Sequence, residues 1–212
     1  NLLSDILSYD FDSNIAYSYK AKNDLRLWVR FDNNLTELVN YDPSNKPSVV
    51  YEGNPTIESQ SVYGSKMKVA NFSDANNSNA LVTFPGLSGN NNILTFGDGT
   101  QSGELPFSVS LWFKKKSILP TSSDTADYLF YKGNDQPNYE FFANYMPSSD
   151  KLQLRLYGQN SASNIEIGQT ASATGIADGK WHHIVFTYNG VGGTSANGGI
   201  KIIVDAVSLP MD

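Results

Sequence analysis

The chain has 212 residues, of which 40% are hydrophobic and 12% aromatic, with a net charge of −6 and no cysteine. That apolar share fills a sizeable core and excludes global disorder, and the length suits a single all-β domain. The acidic balance excludes nucleic acid as the main partner, and the missing thiols exclude disulfides, thiolate zinc sites and cysteine nucleophiles.

Residues 1–24, opening "NLLSDILS", carry no sustained strand or helix pattern. With Asn1 in place of an initiator Met, the segment reads as a linker from an upstream region of a longer protein. The domain proper is expected over 25–212. Its first element, "LRLWVRF", alternates Leu25, Leu27, Val29 and Phe31 against Arg26, Trp28 and Arg30. A two-residue period is that of a half-buried strand. The same period recurs in "ALVTF" (80–84), "FSVSLWFK" (107–114), "DYLFYK" (127–132), "YEFFANY" (139–145), "KLQLRLYG" (151–158), "HHIVFTYN" (182–189) and "GIKIIVDAV" (199–207).

Between these runs lie "SGNNN", "GDGTQSGELP", "PSSD" and "NGVGGTSANGG", which carry turn and loop chemistry. The basic run Lys114–Lys116 ends a strand and reads as a solubilising flank. No stretch reaches the ~20 apolar residues of a membrane-spanning helix, so membrane insertion is not expected. Many short strands with polar connectors and no fixed repeat predict an antiparallel β-sandwich or jelly roll.

The two histidines of the chain are adjacent in "DGKWHHIVFTYNG" (178–190). On a strand, His182 and His183 point to opposite faces and cannot converge on one ion or substrate. They read as part of the scaffold, with Trp181 capping the core and its N–H finding an acceptor.

The strand "PFSVSLWFK" (106–114), then "DGKWHHIVFTYNG", then "GIKIIVDAV" resemble the laminin G-like members of the concanavalin A-like lectin/glucanase superfamily. Such domains carry an FTxSxWxK-type strand, a D-G-x-W-H-H-[VI] strand entry and an I-x-[IV]-Y-[VI]-D-G strand. "LRLWVRFDNN" (25–34) and "YGSKMKVANFSD" (63–74) extend the likeness, which runs from about Leu25 to Leu209. It implies a laminin G-like jelly roll. Two departures are Ala206, where the family has Gly, and the absence after "GIKIIVDAVSLPMD" of a strand returning beside the first. The sandwich is therefore expected to be incomplete at its C-terminus. Further chain, residues 1–24 or a neighbouring subunit would cover the Leu25–Phe31 edge.

The resemblance also implies calcium at the sandwich rim, held by Asp or Asn oxygens. "SDANNSNA" (73–80) and "FGDGTQSGE" (96–104) supply Asp74, Asn76, Asn77 and Asp98 as candidate ligands. The same residues suit ordinary turns, and spacing does not choose between the two. For carbohydrate, aromatic rings stack on sugar faces while amides bond hydroxyls. "FYKGNDQPNYEFFANY" (130–145) offers Tyr131, Asn134, Asn138, Tyr139, Asn144 and Tyr145 around one hairpin, although alternation sends about half of such aromatics into a core.

Hydrolases of the superfamily pair carboxylates on one strand, in an E-x-D-x-[x]-E arrangement. Here Glu140 and Glu166 are isolated, and Asp127 and Asp135 are apart. No catalytic residues are expected, and glycoside hydrolysis is the remote alternative. Cysteine-free, Asn- and Ser-rich domains of this kind resemble those of bacteriophage virion and bacterial surface proteins. The resemblance implies a non-catalytic recognition or adhesion module that binds a glycan or another host-surface ligand, exposed on a virion or cell. It would sit in an oligomeric assembly with other structural subunits. A purely structural decoration or fibre module is the alternative.

Overall fold

The computed structural model describes residues 27–29, 38–40, 50–52, 55–72, 81–83, 94–96, 105–115, 126–133, 139–157, 165–170, 172–191 and 197–212. These fall into two compact units, one of residues 1–61 and 66–87, the other of residues 62–65 and 88–212.

The first unit holds short antiparallel pairs. β1 (Leu27–Val29) pairs with β2 (Leu38–Asn40), and β3 (Val50–Glu52) pairs with β6 (Leu81–Thr83). Within the strand expected at 25–31, the described residues 27–29 thus have β2 on one side. β4 (Thr56–Val62) and β5 (Ser65–Asn71) form a hairpin through Tyr63 and Gly64, both at positive φ as a two-residue primed turn requires.

The second unit is built from two four-stranded antiparallel sheets. One sheet runs, in spatial order, β14 (Val207–Ser208), β13 (Ile200–Val204), β12 (His182–Tyr188) and β7 (Phe107–Phe113). The other runs β11 (Ile165–Gln169), β10 (Lys151–Tyr157), β9 (Tyr139–Met146) and β8 (Asp127–Gly133). The expected all-β sandwich architecture is what the chain adopts.

Register explains the core. Antiparallel pairing aligns Leu111, Ile184 and Val204 in one cross-strand row. Val109, Phe186 and Ile202 form the next, and Phe107, Tyr188 and Ile200 the third. Because side chains alternate, the whole row set faces inward while Ser108, Ser110 and Trp112 face out. The second sheet contributes Phe130, Phe141, Ala143, Tyr145, Leu152 and Leu154 to the same apolar cluster. Rings then meet in tilted or edge-on pairs, Phe130 on Phe186 at 5.4 Å and Phe107 on Phe141 at 4.9 Å. Each fully buried side chain of this kind contributes roughly 1.5–3 kcal/mol.

The run expected as one strand over 199–207 is two, because Asp205 and Ala206 turn the chain at φ 49° and 67°. Beyond β14 the chain crosses over, so that Thr170 and Met211 form an antiparallel bridge and the Asp212 amide donates to the Gln169 carbonyl at 2.9 Å. Gly168 permits a close approach there, since a Cβ on it would lie 2.5 Å from Ile200 Cγ2.

Candidate functional site

The outward face of the β8–β11 sheet gathers the groups that could hold a ligand. Its formation depends on a bulge. Tyr128 is opposite Asn144 but Phe130 is opposite Ala143, so Leu129 is an extra residue in β8. In a regular strand Tyr128 and Tyr131 would point to opposite faces. The bulge turns Leu129 and Phe130 toward the core and leaves both tyrosines outside, 56% and 46% exposed.

Two cross-strand rows follow from the pairing. The first reads Tyr128, Asn144, Gln153, Gln169, a tyrosine followed by three side-chain amides. The second reads Tyr131, Phe142, Arg155. The aromatic members touch, Tyr128 meeting Tyr131 at 6.5 Å and Phe142 at 5.2 Å, and Phe142 meeting Tyr157 at 5.6 Å.

The polar members are also tied together. Lys151 Nζ is 2.9 Å from Asp212 Oδ2, and Gln169 Nε2 donates to that same carboxylate oxygen at 3.3 Å. Gln153 Nε2 donates to Gln169 Oε1, and Gln153 Oε1 accepts from Arg155 Nε and Nη2 at 3.3 and 3.1 Å. The guanidinium carbon lies 5.4 Å from the Phe142 ring centre. The two glutamine amides are thereby oriented, and the guanidinium is tied to Gln153. Asn144 is 2% exposed, and its Oδ1 is a buried acceptor without a hydrogen-bond partner.

Of the residues expected from sequence, Tyr131 and Asn144 lie on this face. Tyr145 does not. Its ring is 0% exposed on the core side, and its hydroxyl donates to Asp150 Oδ1 at 2.7 Å. Alternation explains this correction, because Tyr145 has the opposite parity to Asn144 on β9. Burial, then the hydrogen bond and negative charge of Asp150, push the Tyr145 hydroxyl well above the usual tyrosine range. Asn134, Asn138 and the side chain of Tyr139 lie outside the described residues, as do Asp74, Asn76, Asn77 and Asp98. Among the described residues, no group of three or more His, Cys, Asp or Glu side chains could hold a metal.

Sequence reasoning missed Tyr128, Gln153, Arg155 and Gln169. For Gln153 and Arg155 a signal was present, since "KLQLRLY" alternates and both sit at its polar positions. Tyr128 was hidden by the bulge.

The other described carboxylates of the unit are engaged. Glu140 pairs with the buried Lys132 and accepts from the Phe96 amide at 2.9 Å. Asp127 pairs with Lys115. Asp150 also accepts from Thr174 Oγ1 at 3.0 Å and from the Gly175 amide at 2.6 Å.

The histidines occupy opposite faces of β12. His182 lies between Asp205 Oδ2, 2.8 Å from Nδ1, and Asp178 Oδ1, 3.0 Å from Nε2. His183 Nε2 is 2.7 Å from Ser110 Oγ, and its ring is 4.9 Å from that of Trp112. One detail departs from expectation: the Trp181 indole N–H is buried and finds no acceptor. The ring lies 5.9 Å from the Lys114 ammonium, which can only donate.

A laminin G family model, described as the concanavalin A-like lectin/glucanases superfamily, matches residues 88–208, and the chain belongs to that superfamily. No curated protein and no solved structure matches the chain.

Proposed function

We propose that the chain is a non-catalytic carbohydrate-recognition module whose ligand lies across the outward face of β8–β11. The observation that carries this reading is the pair of cross-strand rows, which sets two exposed tyrosines beside three amides and a guanidinium. Aromatic rings cover the apolar face of a sugar while the amides bond its hydroxyls, and such a mixture of apolar surface with a few oriented polar groups is what ligand sites are made of. The engagement of Glu140, Asp127 and Asp150 in pairs that fasten strands and loops supports a module without hydrolase chemistry.

By resemblance, we further propose that the module stands on the surface of a virion or cell, within an oligomeric assembly. A structural role without a glycan is the second reading. It is favoured by the exposed Trp112 on β7, whose ring meets that of the exposed Tyr63 in the β4–β5 turn at 5.2 Å in a tilted pair, since surface aromatics of this kind also suit protein contacts.

A glycan array separates the two readings. The recognition reading expects array signals that Tyr128→Ala and Tyr131→Ala each reduce at least about tenfold, roughly the loss of one good ring–ligand contact. An array blank with and without calcium leaves the structural role standing.

A further inference from the structure

We infer that the glycan taken by the β8–β11 face carries a carboxylate, and that Arg155 is the residue that binds it. This rests on the proposal that the face is a glycan site and narrows its ligand class. A guanidinium has five N–H donors and no acceptor. Arg155 directs two of its donor groups, Nε and Nη2, at the single oxygen Gln153 Oε1. Nη1 has no partner at all among the described residues, and no carboxylate among them pairs with this charge. The other cations of the sheet differ: Lys132 is neutralised by Glu140 and Lys151 by Asp212.

The guanidinium is also preorganised. The run from Asp212 through Gln169 and Gln153 fixes the acceptor that orients it, and the Phe142 ring lies beneath it. Arg is the side chain whose rigid planar fork matches a carboxylate with two parallel hydrogen bonds, and holding it in place in advance reduces the entropy lost on binding.

The net charge of −6 does not oppose this, because exposed charges farther than about 8 Å are largely screened at physiological salt. Locally the cation stands one strand from Phe142 and two from Tyr131. An acidic sugar could set its carboxylate on Arg155 while the next ring of the chain stacks on the tyrosines.

The test is an array of acidic glycans printed twice, once as such and once after chemical reduction of their carboxyl groups to alcohols. The full chain should bind spots on the first array and lose at least about tenfold on the reduced counterparts, the loss of one charge-assisted pair. Arg155→Gln should lose the same signals, and Arg155→Lys should keep only part of them, with thermal melting verifying that both variants fold. If signals survive reduction, or persist in Arg155→Gln while Tyr131→Ala abolishes them, the face remains a glycan site and the carboxylate is wrong. If both arrays stay blank, the inference and the reading beneath it fall together.

Discussion

Ala206 occupies the second position of the β13–β14 turn at φ 67°, beside Asp205 at φ 49°. Two-residue hairpin turns of this kind favour Gly there because a Cβ in the left-handed region costs about 1–2 kcal/mol. Asp205 compensates locally, its carboxylate accepting from the His183 amide at 2.9 Å and meeting His182. Ala206→Gly relieves the strain and restores about 0.5–1 kcal/mol of chain entropy to the unfolded state, so a net stabilisation of about 0.5–1 kcal/mol is expected. Urea unfolding checks it, and an unchanged or lower midpoint contradicts it. Tyr145 gives the opposite sign. Tyr145→Phe keeps the core ring but removes the donor to Asp150, for an expected loss of about 1–2 kcal/mol, readable in the same unfolding curves. Glycan binding should not change, because this ring lies on the core side of β9. Sequence alone showed Ala206 as an oddity against the family pattern. It could not show that the "PSSD" turn places Asp150 under Tyr145, because that contact joins residues through the third dimension and not through a period.

Strands with a clean two-residue period were legible. β7, β8, β9, β10, β12 and β13 lie where alternation put them, since the pattern that buries one face also sets the register. β11 was not, because "IEIGQ" is short and contains Gly168, a poor strand residue whose presence is explained only by Ile200 pressing on it. Gly168→Ala should therefore destabilise by about 1–3 kcal/mol through overpacking between β11 and β13, measured by thermal melting. β4 and β5 escaped notice because polar residues interrupt their pattern. The β12 entry supplies a pH-dependent element. Burial pulls the His182 pKa down, but hydrogen bonds to Asp178 and Asp205, with their charges, carry the net shift upward. A raised folded-state pKa means that the contribution is complete below the unfolded value, about 6.5, and is lost as pH rises through the folded one. Asp178, held well below the usual carboxylate range by Lys180 and then His182, stays ionised throughout that window. His182→Gln should thus lower the melting temperature most at about pH 5.5, roughly one unit below that value. The difference should shrink toward pH 8, and a pH-independent difference would show that the imidazolium pairing is not what fastens the hairpin turn to β12.

At the scale of the whole molecule, superfamily membership and the sandwich were readable from strand spacing and the "DGKWHH" entry, whereas the face proposed for the ligand required knowing which strands pair. The rim calcium inferred from resemblance stands apart from both. The described carboxylates of the second unit already serve Lys115, Lys132, Lys151, His182 and Tyr145, and the ion that the resemblance implies would be held by Asp74, Asn76, Asn77 and Asp98. An ion that binds only the folded state at a hundredfold excess over its Kd adds about 2.7 kcal/mol. For a chain of this length that corresponds to a melting shift of about 5–10 °C. If those four residues hold calcium, EDTA lowers the melting temperature by that amount and added calcium restores it. A curve indifferent to both removes them. The same titration also bears on Arg155, because a carboxylate held by a guanidinium uses no metal. Binding of an acidic glycan should survive EDTA even where stability falls. Binding that vanishes with the calcium would move the recognition site from the β8–β11 face to the rim loops.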